Sequence, residues 1–281
     1  QSRGLGDVYK RQDFFRIRRI ESIINLAGAP MIQRWNDSSK AEILLSRKRA
    51  LERIFELVRS LPPSNRPSSI ISASSSAIYS NQQQVVDEYT EPQLDINFFQ
   101  SIVWRFLEQR IDQLCVPKVR NVTVRIGIVI GPYAIVSNLL IISRCFGGSI
   151  LGSGNQKISW ISHHDLARAF DKFIFDSSMN GTYNLVSPQV ITSKQLSIKT
   201  AGAVNRPVWF RIPNSILRLA LGELATNFLI SAPVRPTRLI ESDFHWNAPD
   251  FADAIGRAAW EIRLSAKQSK LARDSDHYLD S

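Results

Sequence analysis

The feature that most limits what this chain can fold into is a series of apolar, β-branched runs that break on glycine, proline or serine. They are IINLAGAP (23–30), IISASSS (70–76), VTVRIGIVIGP (122–132) and TYNLV (182–186). The first of them, aliphatic until it breaks at Gly28 and Pro30, reads as a buried parallel strand emptying into a loop at its carboxyl end. The intervals supply helices. From Asp37 to Leu61, residues Ile43, Leu44, Leu51, Ile54, Phe55, Val58 and Leu61 recur at helical spacing; Asp37 or Ser38 can cap the start, and Pro62 and Pro63 end it. From Gln93 to Leu114 a second helix puts Phe98, Ile102, Phe106, Ile111 and Leu114 on one side. Strand, helix, strand, helix, strand predicts an α/β fold with a parallel sheet and right-handed crossovers, and in such sheets ligands sit where strands empty into loops.

Beyond Pro132 the pattern loosens. A helix is predicted near Ile135 to Cys145, then a glycine-rich turn FGGSILGSGNQ, then a short strand running into a helix through ISWISHHDLARAFDKFIF. After Pro188, helices at Ser193 to Ala203 and Asn214 to Leu229 and a last amphipathic piece from Phe251 to Arg263 read as a smaller cap. Residues 1–12, QSRGLGDVYKRQ, carry neither periodicity and read as a non-native leader.

The 281 residues, 44% of them hydrophobic, suffice for a large core. The net charge of +10 is concentrated early, with thirteen basic and seven acidic side chains in the first 60 residues, and permits polyanionic or phosphorylated partners. Nucleic acid is not an expected partner, because Arg47, Lys48, Arg49, Arg53 and Arg59 alternate with apolar positions instead of aromatic ones, as on a solvated helix face. Cys115 and Cys145 form no CxxC pair and no histidine stands at ligand spacing, so neither a disulfide framework nor a metal site is expected. The first twenty residues hold six Arg and Lys without an apolar segment, unlike a secretory signal. The uncharged run between Arg125 and Arg144 is broken by Gly127, Gly131, Pro132, Ser137 and Asn138, so it reads as strand, turn and helix and no membrane span is expected.

Taken in order, INLAGAP (24–30), Arg34-Trp35, Ser46-Arg47, ISAS (71–74), VRIGIVIGP (124–132), GSGNQ (152–156), SWI (159–161), Asp165-Leu166, YNLV (183–186), RIPNSILRLALGE (211–223) and PTRLIESDF (236–244) resemble the extended short-chain dehydrogenases/reductases. The likeness is to their atypical, nucleoside-diphosphate-sugar epimerase-like branch, some of it described as cell-division-inhibitor-like. The resemblance implies a doubly wound, Rossmann-like sheet carrying NAD or NADP, with a smaller C-terminal substrate domain over the cleft. On that pattern residues 13–188 form a partial cofactor domain and 189–281 the substrate domain. It also places INLAGAP as the family's fourth strand, so the expectation is a chain lacking two βα units, about sixty residues, at its start. A glycine-rich dinucleotide fingerprint is not found: Gly4 and Gly6 are followed by Tyr9 in the third slot, and Gly152 and Gly154 by Lys157.

The resemblance also assigns residues. Asn25, Leu26, Ala27 and Gly28 pass the cofactor's phosphates and inner ribose, with Arg47 flanking them; Ser72 and Ala73 lie at the end of the fifth strand, and Pro132 near the nicotinamide amide. Ser74 and Ser75 sit beside the nicotinamide and substrate, where a hydroxyl can donate to the carbonyl that forms as hydride leaves. Gln156 and Trp160 match the substrate-facing loop, where the aromatic ring can stack on a sugar or base. Arg125 braces the site. The family's usual base, Tyr-x-x-x-Lys, is missing, and its slots fall at Phe99 and Val103. Substitute acids or bases are Tyr79, Tyr133, and His163 and His164 beside Asp165. The reading is an epimerase- or reductase-like protein that acts by hydride transfer on a small polar substrate such as a sugar nucleotide. The alternative is a non-catalytic NAD(P) sensor or scaffold of the same fold. Either suits the cytoplasm or an organelle stroma and leaves a homo-oligomer open.

Overall fold

The structure, a computed structural model, describes residues 20–79, 82–132, 135–226 and 232–279, with side chains except at 135–137 and 266–279. The leader expected at 1–12 and Tyr133 lie outside the described residues. In chain order the elements are β1 (Ser22–Asn25), α1 (Asp37–Ser60), β2 (Ser69–Ser75), α2 (Phe99–Gln113), β3 (Arg120–Ile126), β4 (Ile128–Ile130), α3 (Ile135–Phe146), β5 (Gly148–Leu151), β6 (Lys157–Ile158) and β7 (Trp160–Ser162). They continue with α4 (His163–Phe175), β8 (Gly181–Leu185), β9 (Ile191–Thr192), α5 (Ser193–Ala203), β10 (Val208–Ile212), α6 (Asn214–Leu221), α7 (Thr237–Glu241) and α8 (Phe251–Leu279).

The main sheet is parallel, in the order β1-β2-β3-β8. Alternate residues of one run feed two cores. Ile70 packs with Leu51, Phe55 and Val58 of α1 and with Ile111 of α2, whereas Ile71 packs with Val122, Val124 and the α4 residues Ala169, Phe170 and Phe173. With helices on both faces, successive apolar residues of β2 are both buried, and even the alternating polar positions Thr123 and Arg125 of β3 and Asn184 of β8 lie inside.

Several boundaries differ from the expectation. The cap of α1 is Asn36, which closes a reciprocal box with Ser39, and neither Asp37 nor Ser38. Helix α2 starts at Phe99 instead of Gln93, because Asp95 first turns the chain through its side chain to the Asn97 N–H and its carbonyl to the Phe98 N–H. Its buried face is Ser101, Val103, Trp104, Leu107 and Ile111, and Ile102 is exposed. Helix α6 stops at Leu221 because Gly222 takes a left-handed backbone (φ 59°).

The run VTVRIGIVI is two strands, not one. At Gly127 the chain leaves β8, donating to the Leu185 carbonyl, and Ile128 then bonds the Ser159 carbonyl so that β4 pairs with β7 in a second, two-stranded sheet. Strands also cross the boundary expected at residue 188: β5 pairs with β10, and β6 with β9.

Gly127 permits this switch by having no side chain, since a Cβ there would lie 2.7 Å from the Ser159 carbonyl oxygen and 2.8 Å from Val186. Gly127→Ala is expected to destabilise the protein by about 1–3 kcal/mol, the usual penalty of overpacking against backbone. Gly256→Ala, on α8 where an added Cβ meets nothing within 4 Å, should instead stabilise by about 0.5–1 kcal/mol. Urea unfolding of the two variants reads both signs.

Candidate functional site

Because the four main strands run the same way, their carboxyl ends converge on one side, with Asn25 opposite Ser72, Ser74 opposite Arg125 and Arg125 opposite Asn184. Here Asn25, Leu26, Ala27, Arg47, Ser72 and Ala73 line one cleft of about 60 Å³, closed from behind by Leu51, Trp104, Leu107 and Ile111. The sequence grouped the first six; α2's contribution went unseen because its buried face was misphased. A larger hollow of about 450 Å³ lies around Glu21, Ser68 and Lys118, at the opposite, amino-terminal ends of β1, β2 and β3.

The cleft is built from donors. The loop after β1 is pinned by the Ala29 N–H to Ser46 Oγ bond (2.9 Å), and Arg47 Nη1 donates to the carbonyls of Ala29 (2.9 Å) and Ile43 (3.0 Å). Arg47 stacks across Gly28, whose missing Cβ would fall 2.7 Å from the Arg47 Cγ, and its guanidinium lies 5.2 Å from the Trp104 ring centroid. Among the described residues no carboxylate pairs with Arg47, and burial holds it below the usual arginine range. Ser72 Oγ and Trp104 Nε1 are both buried without a hydrogen-bond partner among the described residues. An uncompensated cation and two orphaned polar groups in one cleft suit an anionic, oxygen-rich ligand.

Deeper in, a polar network ties the strand ends together. Arg125 on β3 donates to both oxygens of Glu108 on α2, through Nη2 at 2.6 Å and Nε at 3.0 and 3.2 Å. Ser74 donates to Glu108 at 2.5 Å. The Tyr79 hydroxyl accepts from Arg125 Nη1 (2.7 Å) and donates to the Asp87 carbonyl (2.7 Å), with Asn184 Oδ1 at 3.1 Å. Burial opposes Arg125's charge, but the hydrogen bonds and charge of Glu108 outweigh it and hold the guanidinium above its ordinary value. Glu108 was missed, although a carboxylate one residue from Leu107 on the buried side of a helix is itself a signal of pairing.

Other expected residues fall elsewhere. Tyr79, named as a substitute base, is wholly buried in this network, and burial pushes its pKa up to about 12. Trp160 is no stacking platform: it is wholly buried and edge-on to Phe251, 5.2 Å between centroids. Gln156 bonds the Leu151 carbonyl in the turn between β5 and β6 and is not among the cleft's lining residues. Ser74 is committed to Glu108, whereas Ser75, at the end of β2, is half-buried and accepts from the Ala77 N–H. Pro132 follows Gly131, against which His163 packs. Asp165 does not orient the histidines. It is buried and accepts from Ser162 Oγ and from the N–H groups of Asn247 and Ala248; the carboxylate facing His163 and His164 is Glu261, from α8.

The displaced tyrosine gives a pH dependence. Its folded pKa lies above the value near 10 of an unfolded chain, so its contribution is intact below about pH 10 and is lost as pH rises towards 12, by roughly 2–3 kcal/mol in all. Urea stability of the wild type should therefore fall more steeply than that of Tyr79→Phe across this window. Equal slopes would mean that Tyr79 ionises as freely as an exposed phenol.

The family model described as the NAD dependent epimerase/dehydratase family matches residues 5–185, and a domain of unknown function (DUF1731) matches residues 212–258. The chain is 31% identical over 239 residues to the epimerase family protein SSP1921 of Staphylococcus saprophyticus, covering 84% of this chain and 78% of that protein. It is 28% identical over 236 residues to the chloroplastic epimerase family protein SDR39U1 homolog of Arabidopsis thaliana, covering 83% of this chain and 67% of that protein. Among solved structures, human SDR39U1 with NADPH superposes with a TM-score of 0.79 at 23% identity over 88% of this chain and 85% of that one. The UDP-glucose 4-epimerase of Thermus thermophilus with NAD gives 0.67 at 13% identity over 90% and 80%. With more than half of its length matched by the family model, the chain belongs to the NAD dependent epimerase/dehydratase family.

Proposed function

We propose that this chain binds NAD or NADP, with the diphosphate and adjoining ribose against Arg47 and the Asn25 to Gly28 turn, and supports hydride transfer on a small polar substrate of the sugar-nucleotide class. The observation that carries the reading is the donor character of the cleft: Arg47 without a carboxylate partner beside the orphaned Ser72 Oγ and Trp104 Nε1, among the described residues. An arriving diphosphate relieves the burial penalty on Arg47 and takes up the unused donors. The cleft is small against the roughly 300–1,000 Å³ of ordinary ligand sites, so it accounts for one end of a dinucleotide. When bound, the nicotinamide supplies the acceptor or donor of hydride. The protein's part is to hold the substrate oxygen, and Ser75 is the hydroxyl best placed to donate to it at the end of β2.

A second reading, a cofactor-binding sensor without turnover, is favoured by one set of observations. The slots of the family's Tyr and Lys hold Phe99, packed edge-on to Trp35, and the wholly buried Val103, while Tyr79 is sealed in the Arg125 network. The homologue found in Arabidopsis is chloroplastic, which supports an organelle stroma as readily as a cytoplasm. No helix among the described residues is long and apolar enough to cross a membrane.

Titration of the chain with NADPH and NADH, followed by tryptophan fluorescence, tests the first proposal. Saturable binding of one nucleotide is expected, weakened roughly tenfold or more in Arg47→Met, as for loss of a charge-assisted hydrogen bond. No binding of either nucleotide, or equal affinity in the variant, overturns it. Hydride exchange in the same samples, over a panel of nucleotide sugars, then separates turnover from sensing.

A further inference from the structure

Away from the cleft, two consecutive histidines at the start of α4 meet one glutamate of α8. His163 Nε2 lies 3.4 Å from Glu261 Oε2 and His164 Nε2 lies 2.8 Å from Glu261 Oε1, with all the ligand atoms within 4.8 Å of one another. The two histidines stood out in the sequence, but their carboxylate partner did not, because Glu261 lies 97 positions beyond His164.

The tautomer of His163 is set by the backbone. Its Nδ1 faces the Ile130 carbonyl at 3.2 Å, an acceptor only, so Nδ1 carries the hydrogen and in the neutral ring Nε2 presents a lone pair. Nε2 lies 3.4 Å from Glu261 Oε2, an oxygen shielded from solvent that accepts no hydrogen bond among the described residues. Two acceptors thus face each other across a gap that calls for a positive centre. A hydrogen bond from the far ring nitrogen to a carbonyl is also the usual outer support of a metal-bound histidine. Bonds of roughly 2 Å to a tetrahedral metal put donor atoms roughly 3.3 Å apart, close to the spacing found between His163 and Glu261; His164, whose Nε2 donates to Glu261 Oε1 at 2.8 Å, must give up that proton and move back by about half an ångström as the ion takes its place. His163 and His164 are 33% and 51% exposed, which leaves a path for the ion and positions for water.

The positive end of α4 opposes a cation, but it amounts to roughly half a charge and Glu261 supplies a full negative one at the same spot. Two imidazole nitrogens and one carboxylate favour borderline ions over Mg²⁺ or Ca²⁺, which take oxygen. We propose that His163, His164 and Glu261 form a binding site for a divalent transition metal of the zinc class, clamping α8 onto the start of α4.

The test uses the full chain, stripped with chelator and titrated with Zn²⁺ by calorimetry and with Co²⁺ by visible absorption. One ion per chain is expected, with nitrogen- and oxygen-type Co²⁺ bands, a raised melting temperature and no competition from excess Mg²⁺. Glu261→Gln and His164→Asn should each lower affinity at least tenfold, and His245→Asn, a histidine outside the cluster, should leave it unchanged. Circular dichroism of the metal-free variants checks that they are folded; if Glu261→Gln is not, His164→Asn decides alone. Absence of saturable Zn²⁺ binding, equal affinity in folded variants, or thiolate charge-transfer bands that place the ion on Cys115 or Cys145 would each overturn the proposal. So would nitrogen NMR showing His163 protonated on both ring nitrogens and unmoved by Zn²⁺, since a proton would then fill the gap.

Discussion

The buried pair of Arg125 and Glu108 is the contact on which the rest of this end of the molecule depends. Their side chains are 8% and 12% exposed, deep enough that either charge left alone would be costly, and together they tie β3 to α2. Ser74 brings in the end of β2, and Tyr79 the loop beyond it. Asn184 brings in β8 and passes the tie on, because its N–H donates to Glu88 and its side-chain amide to the Arg235 carbonyl. Glu88 in turn accepts from the Thr237 N–H at the start of α7. A chain of polar contacts of this kind is fully directional, which apolar packing is not, and so fixes how the strand ends sit relative to one another.

That arrangement separates two kinds of polar group. Those inside the network have every partner they need and are held out of water; Tyr79 is the extreme case. Those facing the cleft, Arg47, Ser72 and Trp104, are held in place by neighbours that do not satisfy them among the described residues. A ligand would gain most from the second group, because an unsatisfied donor has a hydrogen bond still to make.

What the sequence made legible was whatever is encoded locally. Apolar, β-branched runs around Ile24, Ile71, Val124 and Leu185, each ending on glycine, serine or proline, identified the four parallel strands, although Ile24 on the edge strand is exposed. The cleft residues from Asn25 to Arg47 were legible through family resemblance, their motif being continuous within two segments. The misses share a cause. Whether Gly127 continues a strand or changes partner depends on the Ser159 carbonyl; whether Trp160 stacks on a ligand or on Phe251 depends on α8; and which carboxylate meets His163 depends on residue 261. Each is settled by a partner far along the chain. The helix phase of α2 failed for a different reason: with Phe98, Ile102, Trp104, Phe106 and Leu107 all apolar, the stripe is too wide for periodicity to choose its centre.

The same packing leaves no room on α2 for the family's proton relay. A phenol acts as a base only if its anion is stabilised where it stands, and the family's solution places a lysine one helical turn away. Here that turn of α2 carries Phe99 and Val103, and the fold spends them on packing: Phe99 lies against Trp35 with Lys40 5.4 Å from its ring, and Val103 is wholly buried with Ile43 and Tyr79. Restoring a tyrosine at 99 and a lysine at 103 would therefore bury an ammonium among aliphatic side chains, where desolvation opposes the charge that the mechanism needs. The Arg47 end of the cleft makes no such demand, because Arg47 is already held by backbone carbonyls. Arg47 and the slots of the family's proton relay thus lie on different helices, α1 and α2, and the packing around α2 constrains the second far more tightly than the first.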